Sequence, residues 1–66
     1  IEPNAQKILD ELKASRGFLR LNDNSHPEDI KTVLKMSKKT FKKAIGSLYK
    51  DQLITIKDDG IYLVSQ

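Results

Sequence analysis

The spacing of the apolar residues changes once near the end of this chain, and that change constrains the fold most. Before Lys50 the apolar residues recur mostly every three or four positions, which is typical of amphipathic helices. From Leu53 onward they alternate with polar residues, as in strands that bury one face. Two periods in separate segments indicate the α+β class, with a small antiparallel sheet at the end of the chain.

The first segment is predicted to be a helix followed by a short strand. Pro3 suits the first helical turn, and the apolar residues with helical spacing are Ala5, Ile8, Leu9 and Leu12. Gly17 is expected to end this helix, because glycine accepts the left-handed conformation that closes many helices. The stretch Phe18 to Leu21 alternates as a strand would, and residues 22 to 24 indicate a turn.

Two further helices are predicted in the middle of the chain. Ser25 and Glu28 have the spacing of a capping box, in which the hydroxyl accepts from the amide three residues on. The second helix then runs to about Lys35, and its apolar stripe consists of Ile30, Val33 and Leu34. Met36 is expected in the core, and Ser37 caps a third helix whose apolar stripe consists of Phe41, Ala44, Ile45, Leu48 and Tyr49. The short connection resembles a helix-turn-helix.

The pair Asp59-Gly60 predicts a β-hairpin, because a type I′ turn needs positive φ at both central positions. With this turn, Ile56 pairs with Leu63 and Lys57 pairs with Tyr62. The face expected to pack on the helices then holds Ile54, Ile56, Ile61 and Leu63. The complete order, α-β-α-α-β-β, is that of a winged helix-turn-helix in which residues 1–66 form a single domain.

The charges of the chain are strongly segregated. The window from Lys31 to Lys50 holds seven lysines and no acidic residue, whereas the rest of the chain has a net charge of −4. Projected at about 100° per residue, the third helix places four residues opposite its apolar stripe and two lysines beside it. The outward column is Lys39, Lys43, Gly46 and Lys50, and the flanking residues are Lys38 and Lys42.

This lysine pattern lowers the stability of the helix that carries it. Like charges four residues apart cost a few tenths of a kcal/mol each, and lysines in a first turn oppose the helix dipole. A polyanionic partner explains such an arrangement, and nucleic acid is the leading candidate. The residues predicted to contact nucleic acid are Lys35, Lys38, Lys39, Lys42, Lys43 and Lys50. Two other interpretations of the lysines stay open, a solubilising surface and contact with an acidic protein. The alternative function is an interaction module that docks against sister domains or forms a dimer without contacting nucleic acid.

The type of cation predicts how nucleic acid would be bound. Lysine is a mobile point charge that suits phosphates, and the outward face lacks the Arg, Asn or Gln that reads base edges. Binding is therefore expected to tolerate changes in the nucleic-acid sequence and to weaken as salt is added. For about four neutralised phosphates, log affinity against log salt concentration should have a slope of roughly −3 to −4. The acidic tip of the wing, Asp58 and Asp59, disfavours insertion into a DNA groove, so RNA is preferred over duplex DNA.

Several other residues have two possible roles each. Arg20 and Lys57 either assist binding or are solvated strand residues. Gly46 either admits close approach of a ligand or is a tolerated helix glycine. Tyr49 and Tyr62 either stack on bases or, as favoured here, pack in the fold.

Other functions find little support in the sequence. The single histidine, His26, lies in a predicted capping turn, there is no cysteine, and the acidic pairs lie on exposed segments of a chain too short to enclose a pocket. No glycine loop for phosphate and no apolar run of about 20 residues is present. We therefore expect no enzyme activity, cofactor, metal, small-molecule substrate or membrane partner. The lack of cysteine fits the cytoplasm, and the lack of an initial methionine suggests a domain excised from a longer protein.

Three segments carry a resemblance to a known family. They are residues 17–23, residues 25–30 and, most specifically, the run from Met36 to Ile56. In these segments the chain resembles the C-terminal winged-helix domain of the conserved virulence factor B family. That resemblance implies a bacterial cytoplasmic RNA-binding regulator of virulence gene expression, acting post-transcriptionally, in which several OB-fold domains precede the winged helix as partners in the same chain. It carries over no contact residue, and Lys38, Lys39, Lys42 and Lys43 enter it only as parts of a similar motif.

Overall fold

The computed structural model describes residues 2–64 and has the predicted order of elements. The helices are α1 (Pro3–Ala14), α2 (Pro27–Leu34) and α3 (Lys38–Lys50), and the strands are β1 (Phe18–Leu19), β2 (Ile54–Lys57) and β3 (Gly60–Leu63). The three strands form one antiparallel sheet in the order β1-β3-β2. The predicted α+β winged helix-turn-helix is thus confirmed, although β1 is shorter than expected.

Helices α1 and α3 end in the same way, and neither end uses a glycine at the closing position. Arg16 after α1 and Gln52 after α3 adopt left-handed conformations, with φ of 63° and 61°. The next N–H in each case donates back to the helix, from Gly17 to Leu12 at 2.6 Å and from Leu53 to Leu48 at 3.0 Å. The residue that closes α1 is therefore Arg16, one position before the predicted Gly17, although Gly17 also has a positive φ of 89°. Each of these ends turns the chain directly into the following strand.

The start of α2 differs from the predicted capping box. The N-cap is His26, whose Nδ1 accepts from the backbone N–H of Glu28 at 3.3 Å, and Pro27 occupies the first helical position. The Ser25 hydroxyl is engaged elsewhere, because it accepts from the backbone N–H of Asn22 at 2.8 Å. Ser25 thus closes the preceding turn rather than capping the helix.

The hairpin is shifted by two residues from its predicted register. Ile56 pairs with Ile61 and Lys57 pairs with Gly60, so the loop consists of residues 58–59, neither of which has positive φ. Gly60 belongs to the sheet for a packing reason, since a Cβ there would lie 2.1 Å from the carbonyl oxygen of Leu19. A shift of two preserves the alternation of faces. The predicted inward face is therefore kept, with Ile54 and Ile61 buried and with Ile56 and Leu63 packed against the core.

The core lies between the three helices and the inner face of the sheet. Its largest fully buried side chains are Phe41, Ile8, Leu12, Ile30, Leu34, Leu48 and Ile61, and Met36 is buried as expected. Two predicted core residues are instead exposed, Val33 by 43% and Tyr49 by 57%. In each helix the neighbouring leucine, Leu34 or Leu48, occupies the core position, so the adjacent residue lies outside the covered stripe.

Within residues 2–64, none of the helices combines the length and the apolar composition that crossing a membrane would require.

Candidate nucleic-acid interface

Helix α3 carries most of the predicted contact residues, and its start is fixed by local hydrogen bonds. The Ser37 hydroxyl oxygen accepts from the backbone N–H of Thr40 at 3.1 Å, and the hydroxyl lies 3.0 Å from the Thr40 Oγ1. On the inward side Phe41, Ala44 and Ile45 are nearly inaccessible to solvent. The cap and the buried stripe together hold the helix in one rotation about its axis, so its opposite side is a defined surface.

The structure places the six predicted lysines on two neighbouring helices. Lys39, Lys42, Lys43 and Lys50 are exposed on α3, and Lys38 at its first position is half-buried. Lys35 is exposed at the C-cap of α2, where it adopts a left-handed conformation with φ of 58°. The exposed α3 lysines therefore lie on the outward side of one helix, with Lys35 at the turn before it. We call the four exposed α3 lysines the lysine face.

The lysine face is bounded on one side by the start of α1. Glu2 caps α1 through its carboxylate, which accepts from the backbone N–H groups of Asn4 and Ala5 at 3.0 Å. The Asn4 hydrogen bond, with smaller contributions from Ala5 and from the Lys43 ammonium, holds the pKa of Glu2 below its ordinary value. An ionised carboxylate thus lies next to the lysine face, beside Lys43, and limits it there.

The wing, formed by β2, β3 and the loop between them, has a different electrostatic character. Asp58 and Asp59 are both exposed at its tip, and the Tyr62 hydroxyl donates to Asp59 Oδ2 at 2.7 Å. This hydrogen bond and the nearby carboxylate charge raise the pKa of Tyr62. The Tyr62 ring also lies 4.8 Å from the Phe18 ring, and the Lys57 ammonium lies 5.0 Å from its centroid. Tyr62 is therefore engaged in holding the wing together.

Asn22 fastens the wing to the rest of the domain, and sequence reasoning assigned it only to a turn. It is the one buried polar side chain among residues 2–64. Its Nδ2 donates to the carbonyl oxygens of Lys57 at 3.1 Å and Asp58 at 2.9 Å, while its Oδ1 accepts from the Asn24 N–H at 2.9 Å. No sequence signal marks this role, because the partners lie 35 and 36 residues away.

The remaining candidates are all accessible to solvent. Arg20 and Lys57 are exposed on and beside the sheet, at a distance along the chain from α3. Gly46 is exposed on α3, and a Cβ built there would have no heavy atom of residues 2–64 within 4 Å, apart from its own helix backbone and chain neighbours. No group of three or more His, Cys, Asp or Glu side chains in this part of the chain is arranged to hold a metal ion.

Comparison with known proteins adds a family to this geometry. Residues 6–63 match the family model described as the CvfB-like winged helix domain. The chain belongs to this family. The resemblance drawn from three segments of the sequence is thereby confirmed. The matched residues 6–63 include most of α1 and all of the other five elements.

Relatives of this CvfB-like winged helix domain are much longer than the chain itself. The conserved virulence factor B proteins of Staphylococcus saprophyticus and Staphylococcus haemolyticus are each 42% identical over 66 residues, which is 100% of this chain and 22% of the relative. A solved multidomain protein with nucleic acid binding domains from Streptococcus pneumoniae superposes with a TM-score of 0.93. It is 44% identical, and the match covers 97% of this chain and 22% of that chain.

Proposed function

We propose that this CvfB-like winged helix domain is a non-catalytic RNA-binding domain, in which α3 supplies electrostatic affinity for the RNA backbone. The observation that carries this proposal is the lysine face. Lys39, Lys43 and Lys50 are exposed opposite the buried side of α3, and Lys42 is exposed beside it. The similarity to a multidomain protein with nucleic acid binding domains supports the same class of ligand.

The proposed contacts of the lysines are to phosphates rather than to bases. Lysine ammonium groups have no forked donor geometry, so they neutralise phosphate without discriminating base edges. The wing argues for RNA over duplex DNA, because the exposed carboxylates of Asp58 and Asp59 would be repelled by the phosphates that line a groove. A strand lying along one helix face avoids that repulsion.

The domain is proposed to act as part of a longer bacterial protein. The chain spans about a fifth of its relatives, 22% of each. We infer that it is a C-terminal domain of a cytoplasmic regulator of virulence gene expression, with OB-fold domains of the same parent chain as its partners. A small cationic helix face then adds affinity to a larger RNA-binding surface and does not select the target alone.

The direct test is a titration of the chain with labelled single-stranded RNA at two salt concentrations. The test variant changes Lys39, Lys42 and Lys43 to glutamine. The matched control changes three exposed lysines outside α3, namely Lys7, Lys13 and Lys31, so that the net charge falls equally. Loss of three phosphate contacts is expected to reduce the salt slope by about 2 in the test variant only.

The outcomes separate the interpretations of the lysine face. Equal binding by the test variant and the wild type would contradict RNA contact by α3. Equal loss in the test variant and the control would mean that only the overall charge matters. Duplex DNA of the same length, titrated in parallel, is expected to bind more weakly than RNA, and tighter binding would favour a major-groove mode for α3.

A second candidate function is docking against other domains of the parent protein. It is favoured by Val33, which is 43% exposed and lies beside a shallow groove whose lining includes Leu19 and Leu21. Changing Val33 to serine in the full-length protein is then expected to weaken the docking of this domain to its neighbours. Faster limited proteolysis of the segments between domains would detect the change. RNA binding by the chain alone would be unaffected by that change.

A further inference from the structure

Gly46 occupies the centre of the lysine face and leaves a gap in it. On a helix surface the neighbours of any residue are those three and four positions away. For Gly46 these are Lys42, Lys43, Tyr49 and Lys50, and all four are exposed. Three ammonium groups and one aromatic ring therefore surround a position that has no side chain.

The glycine is not required by the fold. A Cβ built at Gly46 meets no atom of residues 2–64 within 4 Å beyond its own helix, and Gly46 is not among the residues with positive φ. Glycine inside a helix lowers stability relative to alanine. The missing side chain thus has neither a packing nor a conformational explanation, and it leaves the helix backbone open to close approach from outside.

Tyr49 forms one wall of this gap, in a way that sequence periodicity did not predict. It is 57% exposed, the most exposed large hydrophobic side chain among residues 2–64. Helical side chains lean toward the N-terminus, so Tyr49 and Lys50 extend over the turn that contains Gly46. An aromatic ring with an open face next to several cations is the arrangement by which proteins bind single-stranded nucleic acids without reading their sequence.

We infer that a notch on α3, the Gly46 notch, receives one nucleotide of a single-stranded RNA. It is formed by Gly46, Lys42, Lys43, Tyr49 and Lys50. The phosphate lies between the three lysines, and the base stacks on the Tyr49 ring, with Gly46 allowing the strand to approach the helix. This inference rests on the proposed RNA-binding function and assigns it a base-contacting residue.

Two acidic groups lie near this arrangement, Glu2 in space and Asp51 along the chain. The Glu2 carboxylate lies beside Lys43, but on the side of α3 that carries Thr40 and Ser47 and not on the side of Tyr49. Asp51 lies five residues from Gly46, which places it about 140° away around the helix. The last carbonyl oxygens of α3 are occupied, since Ser47, Leu48 and Tyr49 accept from the backbone N–H groups of residues 51, 53 and 52. Lys50 also adds a positive charge at the C-terminal end, where it offsets the helix dipole.

Gly46→Ala gives the sharpest test, because stability and binding should move in opposite directions. The added methyl group improves helix propensity and is expected to raise the melting temperature by about 4 °C. The same methyl group fills the notch and keeps the strand away from the helix. RNA binding is expected to weaken by roughly threefold to tenfold, which corresponds to losing part of one base-stacking contact. Ser47→Ala, at the neighbouring exposed position on another side of α3, is the control and should leave binding unchanged.

Tyr49 is tested by a pair of substitutions and two polyanions. Tyr49→Leu is expected to weaken binding of a labelled single-stranded oligoribonucleotide by about tenfold, whereas Tyr49→Phe retains the ring and should bind as the wild type does. Inorganic polyphosphate has no bases, so its affinity should be equal for all three proteins. The salt slope should also be the same in all three, because no cation is removed.

The outcomes distinguish this notch from the function on which it rests. If Gly46→Ala and Tyr49→Leu bind RNA as the wild type does while the lysine variant has lost binding, the notch is wrong and the lysine face stands. If Tyr49→Leu loses polyphosphate binding equally, its effect is structural and the notch is overturned. If the wild type binds RNA at neither salt concentration, the proposed function fails and the notch fails with it.

Discussion

Helix α3 and the wing both expose charged residues, but these residues affect the stability of the domain in opposite directions. The surface of α3 carries like charges that oppose one another and a first turn with lysines where acidic residues would stabilise it. The wing carries carboxylates at its tip and is fastened by Asn22, by the Tyr62 to Asp59 hydrogen bond and by the Phe18 to Tyr62 ring contact. The lysines of α3 lower the stability of their helix, whereas the polar groups of the wing form hydrogen bonds that stabilise the fold.

This difference predicts that RNA affinity and the free energy of unfolding depend on different residues of the domain. Substitutions in the wing are expected to lower the free energy of unfolding with little direct effect on RNA contact. Substitutions on the lysine face are expected to change RNA affinity with little loss of stability, or with a gain. Each of the following changes would break or sharpen that separation.

The largest effect is expected from Gly60→Ala in the wing. Its Cβ would lie 2.1 Å from the Leu19 carbonyl oxygen and 2.8 Å from the Phe18 ring, and Gly60 has a φ of 153°. Since backbone must move to admit the methyl group, the loss of unfolding free energy should reach about 3 kcal/mol or more. Urea unfolding followed by circular dichroism measures it. Gly46→Ala is the matched control, and a similar loss there would contradict the packing argument.

Asn22→Ala is expected to have the next largest effect. Its amide satisfies two backbone carbonyl groups of the wing and accepts from one N–H, so its removal leaves part-buried polar groups without partners. The expected loss is about 2 kcal/mol of unfolding free energy, measured by thermal unfolding. Asn24→Ala, at an exposed position of the same turn, should cost less than about 0.5 kcal/mol. Equal losses would show that Asn22 acts only through the turn.

Lys39→Glu on α3 is expected to move stability and RNA affinity in opposite directions. It places an acidic residue in the first turn and removes the repulsion with Lys43, so stability should rise by about 0.5 kcal/mol at low salt. RNA affinity should fall, because one cation of the lysine face is reversed. Lys39→Gln should show a smaller change in both measurements. A fall in the free energy of unfolding would contradict the argument that the lysines of α3 destabilise their own helix.

The smallest effect concerns the titration of Tyr62. Its hydrogen bond to Asp59 raises the pKa of the phenol above the ordinary 10.0. The neutral phenol is the donor, so its stabilisation of the wing is fully present below pH 10.0 and is lost as the pH rises through the raised value. Absorbance titration of Tyr49→Phe, in which Tyr62 is the remaining tyrosine, measures it. Adding Asp59→Asn should lower that pKa, and an unchanged value would contradict the hydrogen bond.

The sequence predicted the elements well because their signals are local. The helical spacing of Ile8 and Leu12, the cap at Ser37 and the alternation after Leu53 each depend on residues within a few positions. The hairpin shows where this fails. Asp59-Gly60 is a strong turn signal, yet β3 needs the glycine next to β1, and that contact is with a residue about forty positions away. The shift of two preserved the inward face because side chains alternate with a period of two.

The candidate site was predicted in part for the same reason. The lysine column follows from the helical period, which the sequence contains, and its exposure is what the buried stripe requires. The exposure of Tyr49 does not follow from that period, because a residue at the edge of a stripe is covered or open according to what packs beside it. The wing anchor at Asn22 was likewise unpredictable, since hydrogen bonds across 35 residues have no local signature.

By itself, the sequence determined the class of fold, the order of its elements, the family resemblance and the segregation of positive charge onto α2 and, above all, α3. These depend on periodicity and composition, which are properties of short segments. The tertiary structure alone decided that Gly60 serves packing and not a turn, that Asn22 holds the wing, and that the Tyr49 side chain stays exposed. Those outcomes depend on which surfaces meet when distant segments pack, and the same local pattern is compatible with a covered or an exposed side chain.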